Sequence, residues 1–288
     1  MKTTTLLVVL LCGLALLAAA QSTISTTDKF AYAANAGWID FRSSAVDGVV
    51  VSESFLSGKV YAANFGWIDL GDGSPANGHT YSNTSAGDFG VNLSATGALT
   101  GYAYSANVGW INFEQSHGLP RLDFQTGTFT GYAYAANLGW IALNTASSAL
   151  VTTTLAYPDS DGDRIGDSYE MRHFGSLRVA DASSDFDGDG ATDLQEFVAN
   201  TDPKDPSSLL RITQHEYYNS HSIATLTFTS SSNRLYAIEH NSDLAGAWTD
   251  SGLALFAPDP GATSARTFRF DHGPRRFFRV LAHLPLQP

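Results

Sequence analysis

One motif occurs four times in the first half of the chain. Residues 30–41 read FAYAANAGWIDF, 59–70 KVYAANFGWIDL, 102–113 YAYSANVGWINF and 132–143 YAYAANLGWIAL. The marker tyrosines Tyr32, Tyr61, Tyr104 and Tyr134 lie 29, 43 and 30 residues apart. Self-similarity on that scale means one supersecondary unit used repeatedly. Its residues read as short strands: a first strand such as GVVVSES or RLDFQTG, a second such as TFTGYAYA, a tight Asn-x-Gly turn, then Trp-Ile-x-[Phe/Leu]. Glycine in that turn is free to take positive φ, and asparagine is expected to bond its own backbone. Three short strands cannot bury an apolar face alone, so the copies must join in a barrel, sandwich or solenoid.

The repeats hold four of the five tryptophans. The reading adopted is that Trp and Tyr fill the core and that Asn and Gly are turn chemistry. The alternative is a ladder of sugar-stacking sites, which would make this a carbohydrate-binding module or an accessory to a polysaccharide hydrolase. The longer spacing before the third copy comes from a polar insertion over residues 71–88, where a ligand contact is more readily placed.

Residues 1–20 have the form of a cleaved export signal: Lys2, an apolar run from Leu6 to Leu17, then Ala18, Ala19 and Ala20. The expectation is a secreted or cell-surface protein. Cys12, the single cysteine, would leave with the signal, so a mature chain has no disulfide available. The net charge of −12 and the absence of a basic cluster speak against a nucleic-acid partner. No other apolar run is long enough for a membrane span.

The negative charge is concentrated. From Asp159 to Asp205 there are thirteen acidic and four basic residues, a local net of −9. Residues 185–196, DFDGDGATDLQE, fit the D-x-D-x-D-G-x5-E pattern of a calcium loop. Asp185, Asp187 and Asp189 occupy positions 1, 3 and 5, Ala191 offers its carbonyl at 7, Asp193 stands at 9 and Glu196 closes the loop at 12. Residues 159–170, DSDGDRIGDSYE, follow in the same register with Asp159, Asp161, Asp163, the Ile165 carbonyl, Asp167 and Glu170. Arg164 stands where glycine normally takes the sharp turn, at a cost on the order of 1 kcal/mol. Arg164 is therefore expected to point outward and to weaken the loop without replacing its ion. Hard oxygen donors in this number suit calcium, two ions in all, rather than magnesium or zinc. A short helix is expected after each loop, SYEMRHF and DLQEFVAN.

With its Thr201-Asp202-Pro203 ending, this segment resembles the paired dockerin-like, thrombospondin type 3-like calcium repeats of exported bacterial multidomain proteins. The resemblance covers residues 159–208, except at Arg164, and implies calcium binding and a linking role between domains. It implies no catalytic activity.

Residues 209–288 return to strand-like runs and suggest a small antiparallel sandwich, with Tyr236, Trp248, Phe270 and Phe278 as core. The chain is thus expected to be mainly β and multidomain: a signal at 1–20, a repeat domain at 21–150, a calcium-binding loop-helix segment at 151–208 and a sandwich at 209–288. No nucleophile elbow, HExxH or phosphate loop is present, so a non-enzyme is expected. The expected role is structural, at a surface or in adhesion, with calcium stiffening the interdomain segment and an extracellular glycan or protein as partner.

Overall fold

Each motif copy folds as a hairpin, because Asn-x-Gly reverses the chain between two short alternating strands. The computed structural model describes residues 21–218, 222–244, 246–270 and 276–287; the export signal expected over 1–20 lies outside the described residues. β1 (Ile24–Ala33) and β2 (Gly37–Asp40) form the first hairpin. The short strands β3 (Val50–Val51) and β4 (Phe55–Ser57) lead to the second, β5 (Lys59–Ala62) and β6 (Gly66–Asp69). β7 (Val91–Leu93) precedes the third, β8 (Leu99–Ser105) and β9 (Gly109–Asn112). β10 (Arg121–Leu122) and β11 (Phe129–Thr130) precede the fourth, β12 (Tyr132–Ala135) and β13 (Gly139–Ala142), and β14 (Leu150–Thr152) returns beside β1.

The four hairpins close on themselves. β2 pairs β5, β6 pairs β8, β9 pairs β12 and β13 pairs β1, all antiparallel, giving an eight-stranded barrel. Closure removes the exposed strand edges that an open sheet would carry. The turn glycines Gly37, Gly66, Gly109 and Gly139 sit at φ +80, +86, +86 and +78, which their lack of Cβ permits. The residue before each glycine, Ala36, Phe65, Val108 or Leu138, packs against the barrel core and plugs that end.

The repeat departs from expectation in two respects. First, Trp and Tyr do not fill the core. Trp38, Trp67, Trp110 and Trp140 are 43–47 % exposed, each beside the tyrosine directly across its hairpin. The interior is built from the adjacent, opposite-facing residues: Ile39, Ile68, Ile111 and Ile141 against Ala31, Val60, Ala103 and Ala133. Each buried isoleucine contributes roughly 1.5–3 kcal/mol. An eight-stranded barrel has room only for filling side chains of this size, so four indoles must lie outside. Second, the asparagines do not bond their own backbone. Asn64 Nδ2 donates to the Ala36 carbonyl (2.8 Å), Asn107 to Phe65 (2.8 Å), Asn137 to Val108 (2.9 Å) and Asn35 to Leu138 (3.1 Å). Each turn is held by the next repeat, and the fourth is held by the first.

The acidic segment supplies two short helices, α1 (Asp167–His173) and α2 (Asp193–Ala199). Ile165, Tyr169 and Phe197 bury against one another between them. β15 (Ile212–Tyr218), β16 (Ile223–Thr229) and β19 (Thr263–Arg269) then form one three-stranded sheet. β17 (Leu235–Asn241), β18 (Thr249–Asp250) and β20 (Phe277–His283) form the other. Leu226, Phe228, Tyr236, Ile238, Phe268 and Phe270 make the core they share, with Phe278 packed against it. Trp248 does not join this core, contrary to expectation: it is half-buried with the Arg279 guanidinium 4.4 Å from its ring centre.

The three regions meet at Arg234, which is fully buried. Its guanidinium donates to Glu53 Oε1 on the barrel side (2.9 Å) and to the Phe197 and Val198 carbonyls (both 2.8 Å). Those carbonyls belong to the last turn of α2, the negative end of the helix, where the Phe197 carbonyl also accepts from Asn200 N–H (3.2 Å). The chain end returns as well: Tyr157 donates its hydroxyl to the Pro285 carbonyl (3.1 Å), and Leu155 N–H donates to the Leu286 carbonyl (3.0 Å).

Candidate metal centres

Position 1 of each acidic loop organises the backbone around it. Asp159 accepts from the N–H groups of Gly162 (2.8 Å), Asp163 (3.2 Å) and Arg164 (2.9 Å). Asp185 accepts from Gly188 (2.8 Å) and Gly190 (3.1 Å). Position 5 then holds position 7: Asp163 accepts from Ile165 N–H (2.8 Å) and Asp189 from Ala191 N–H (2.7 Å). Asp159 and Asp185 spend both carboxylate oxygens on these N–H groups, whereas Asp163, Asp187 and Asp189 use Oδ1 alone and leave Oδ2 to face their neighbours. Ligand atoms of Asp159, Asp161 and Asp163 lie within 4.8 Å of one another, and so do those of Asp185, Asp187 and Asp189.

The helices bring the closing glutamates to these triplets. Thr192 caps α2, accepting from Gln195 N–H while the Gln195 side chain accepts from Thr192 N–H, and Glu196 follows in the first turn. Glu170 stands in the first turn of α1. Both glutamates are buried, and both oxygens of Glu170 lack any hydrogen-bond partner. Glu196 Oε1 accepts from Thr201 Oγ1 (3.0 Å), but its Oε2 has no partner. Asp163 Oδ2, Asp187 Oδ2 and Asp189 Oδ2 are likewise buried and unpartnered. Buried polar atoms are rarely left so, and a carboxylate oxygen in this state is costly unless a cation satisfies it.

The titration behaviour follows. Burial, reinforced by Asp163, Asp161, Asp167 and Asp159, pushes Glu170 up to about 8. Burial, with Asp187, Asp189 and Asp193 adding to it and the Thr201 bond opposing, pushes Glu196 up to about 7. Asp163 and Asp187 are raised for the same reason, burial first and neighbouring carboxylates after.

The residues at position 9 sit differently. Asp167 accepts from Ser160 N–H (2.7 Å) and Ser160 Oγ (2.6 Å), while Asp193 accepts from Ser184 Oγ and from Phe186 N–H (3.2 Å). Both therefore brace the loops rather than joining the triplets. Ser160 and Ser184, which hold these two carboxylates, carry no signal in the loop pattern, and Thr201, which holds Glu196, entered it only through the Thr-Asp-Pro ending. Arg164 is exposed at φ +79, as Gly190 is at φ +97 in the second loop; Gly166, by contrast, is extended at φ −77 and takes no share of the bend. Comparison with protein-family models, curated proteins and solved structures gave no match.

Proposed function

We propose that the chain is an exported calcium-binding protein with a structural, surface or adhesion role, in which two calcium ions stiffen the junction between the barrel and the C-terminal sheets. Asp159, Asp161, Asp163 and Glu170 would hold one ion with the Ile165 carbonyl. Asp185, Asp187, Asp189 and Glu196 would hold the other with the Ala191 carbonyl. Asp167 and Asp193 orient the loops from behind. The observation that carries this reading is the set of buried, unpartnered carboxylate oxygens, on Asp163 and Glu170 in the first loop and on Asp187, Asp189 and Glu196 in the second, beside aspartate triplets whose ligand atoms lie within 4.8 Å of one another. Their chemistry, hard anionic oxygen in excess, suits calcium.

The coupling to the rest of the molecule runs through α2. Glu196 lies in its first turn, and its last-turn carbonyls bind Arg234, whose other partner is Glu53. An ion that fixes Glu196 thereby fixes the helix on which the junction is built. The linking role, and the likeness to paired calcium repeats, belong to the same proposal.

Titration calorimetry of the purified chain with calcium tests it, together with thermal unfolding in calcium and in chelator. The expected result is two binding events and a melting temperature that falls on chelation. No heat of binding, with a melting temperature indifferent to chelator, would defeat the reading.

A further inference from the structure

The four outward Trp–Tyr pairs are alike, but the third has an aromatic wall beside it that encloses a pocket. The segment before β8 folds back so that Phe89 stands edge-on to Trp110, ring centres 5.2 Å apart, and Tyr102 is also edge-on to Trp110 at 6.1 Å. Residues 83–86 complete a pocket of about 400 Å³ over these rings. Its wall is held in place: Asn83 accepts from Gly90 N–H (3.0 Å) and donates to the Tyr81 carbonyl (3.3 Å). No charged side chain lines it. Asp88, the nearest acid in sequence, is occupied by the N–H groups of Ala76 and Ser82. Among the described residues the Trp110 indole N–H, the Tyr102 hydroxyl and the Ser85 hydroxyl have no hydrogen-bond partner.

We propose that this pocket is a binding site for a neutral carbohydrate. A sugar ring offers one face of C–H groups, which stacks on an exposed indole, and a rim of hydroxyls that both donate and accept. The pocket supplies the counterpart of each: Trp110 with Tyr102 and Phe89 as platform, and Asn83, Thr84 and Ser85 as a hydroxyl and amide rim. An anionic ligand would find no cation there. A purely hydrocarbon ligand would cover the free donors without satisfying them. The volume suits one or two sugar units. The inference stands apart from the calcium reading, since none of its residues lies within 159–196.

The test is affinity electrophoresis of the purified chain through gels loaded with β-1,4-glucan, β-1,4-xylan, β-1,4-mannan, β-1,3-glucan or α-1,4-glucan. Polygalacturonate and casein gels serve as anionic and protein comparisons. At least one neutral glycan is expected to retard the chain. Trp110→Ala should weaken that binding on the order of tenfold or more. Trp67→Ala, which removes an equally exposed indole from a hairpin without the wall, should leave it unchanged. Tyr102→Phe keeps the ring and removes one hydroxyl, so it should weaken binding even if the alanine variant fails to fold. Retardation by none of the neutral glycans, by casein alone, or equal losses in the Trp110 and Trp67 variants would overturn the proposal.

Discussion

The two acidic loops take the same course although their sixth residues could hardly differ more. Arg164 and Gly190 both adopt positive φ, both donate N–H to the aspartate at position 1, and Gly162 and Gly188 match at φ +82 and +76. Each loop is also tied from its ninth residue to the residue before its first: Asp167 N–H to the Pro158 carbonyl (2.8 Å), Asp193 N–H to that of Ser184 (2.7 Å). The turn is therefore imposed by Asp159 and Asp185, which gather several N–H groups each. Glycine at position 6 lowers the cost of a turn that the aspartate already dictates. The loops differ where charge is concerned. Glu196 has one oxygen satisfied by Thr201, whereas Glu170 has neither satisfied, so the first loop holds the less compensated charge.

If both loops hold calcium as proposed, the largest expected effect on this comparison is removal of both ions. At about a hundredfold excess over Kd each site contributes about 2.7 kcal/mol to the folded state. Stepwise chelation followed by calorimetric melting should lower the melting temperature in two stages, the Arg164 loop emptying first. A single concerted loss would show that the loops are not unequal.

Next come the closing glutamates. Glu170→Gln and Glu196→Gln should each reduce the calcium stoichiometry from two to one and weaken the altered loop on the order of a hundredfold, read by titration calorimetry. In chelator at pH 8, Glu170→Gln should melt higher than the unaltered chain, because it removes a buried charge that lacks a partner.

Acidity should separate the loops more gently. Both glutamates titrate above the ordinary value of 4.5, Glu170 near 8 and Glu196 near 7. Between 4.5 and those values the folded ion-free chain binds more protons than the unfolded one, so its stability falls as pH rises through that window. Calcium must displace the same protons. Its affinity should therefore fall on acidification by up to about tenfold per pH unit, beginning near pH 8 in the first loop and near pH 7 in the second. Calcium titrations at pH 8, 7 and 6 would detect this, and a loss that set in at one pH for both loops would contradict it.

The smallest effect is at the odd residue itself. Arg164→Gly relieves about 1 kcal/mol of left-handed strain, so the first loop should tighten about fivefold, and Gly190→Arg should weaken the second by a similar factor. Competition against a fluorescent calcium indicator resolves changes of that size.

Much of this architecture was legible in the residues. The hairpins followed from Asn-x-Gly, α1 from a helix-forming run that stops at Gly175, and α2 from the apolar spacing of Leu194, Phe197 and Val198. The facing of the repeat strands did not follow, because Trp and Ile are adjacent and either could have turned inward. A buried Ala at every second position looks like filler in one strand. Only when eight strands close does it become the size the interior demands. Nor did the pattern reveal that Asn35 would reach Leu138, a partner 103 residues away that becomes a neighbour only on closure. In the acidic segment the carboxylates announced themselves by spacing. The hydroxyls of Ser160 and Ser184 could not, since single serines are common and their role here depends on the fold, and the Thr-Asp-Pro ending did not show that Thr201 would reach Glu196.

The circle of asparagine amides also bears on how such a chain can evolve. Open arrays of repeats gain and lose copies readily, because an added unit meets the same neighbours as the old one. Here every unit grips the one before it and the last is gripped by the first, so a fifth copy would have to break the circle and widen an interior already filled. Duplication of this motif reaches a natural stop at four, and later change must come as insertions between hairpins, as in residues 71–88.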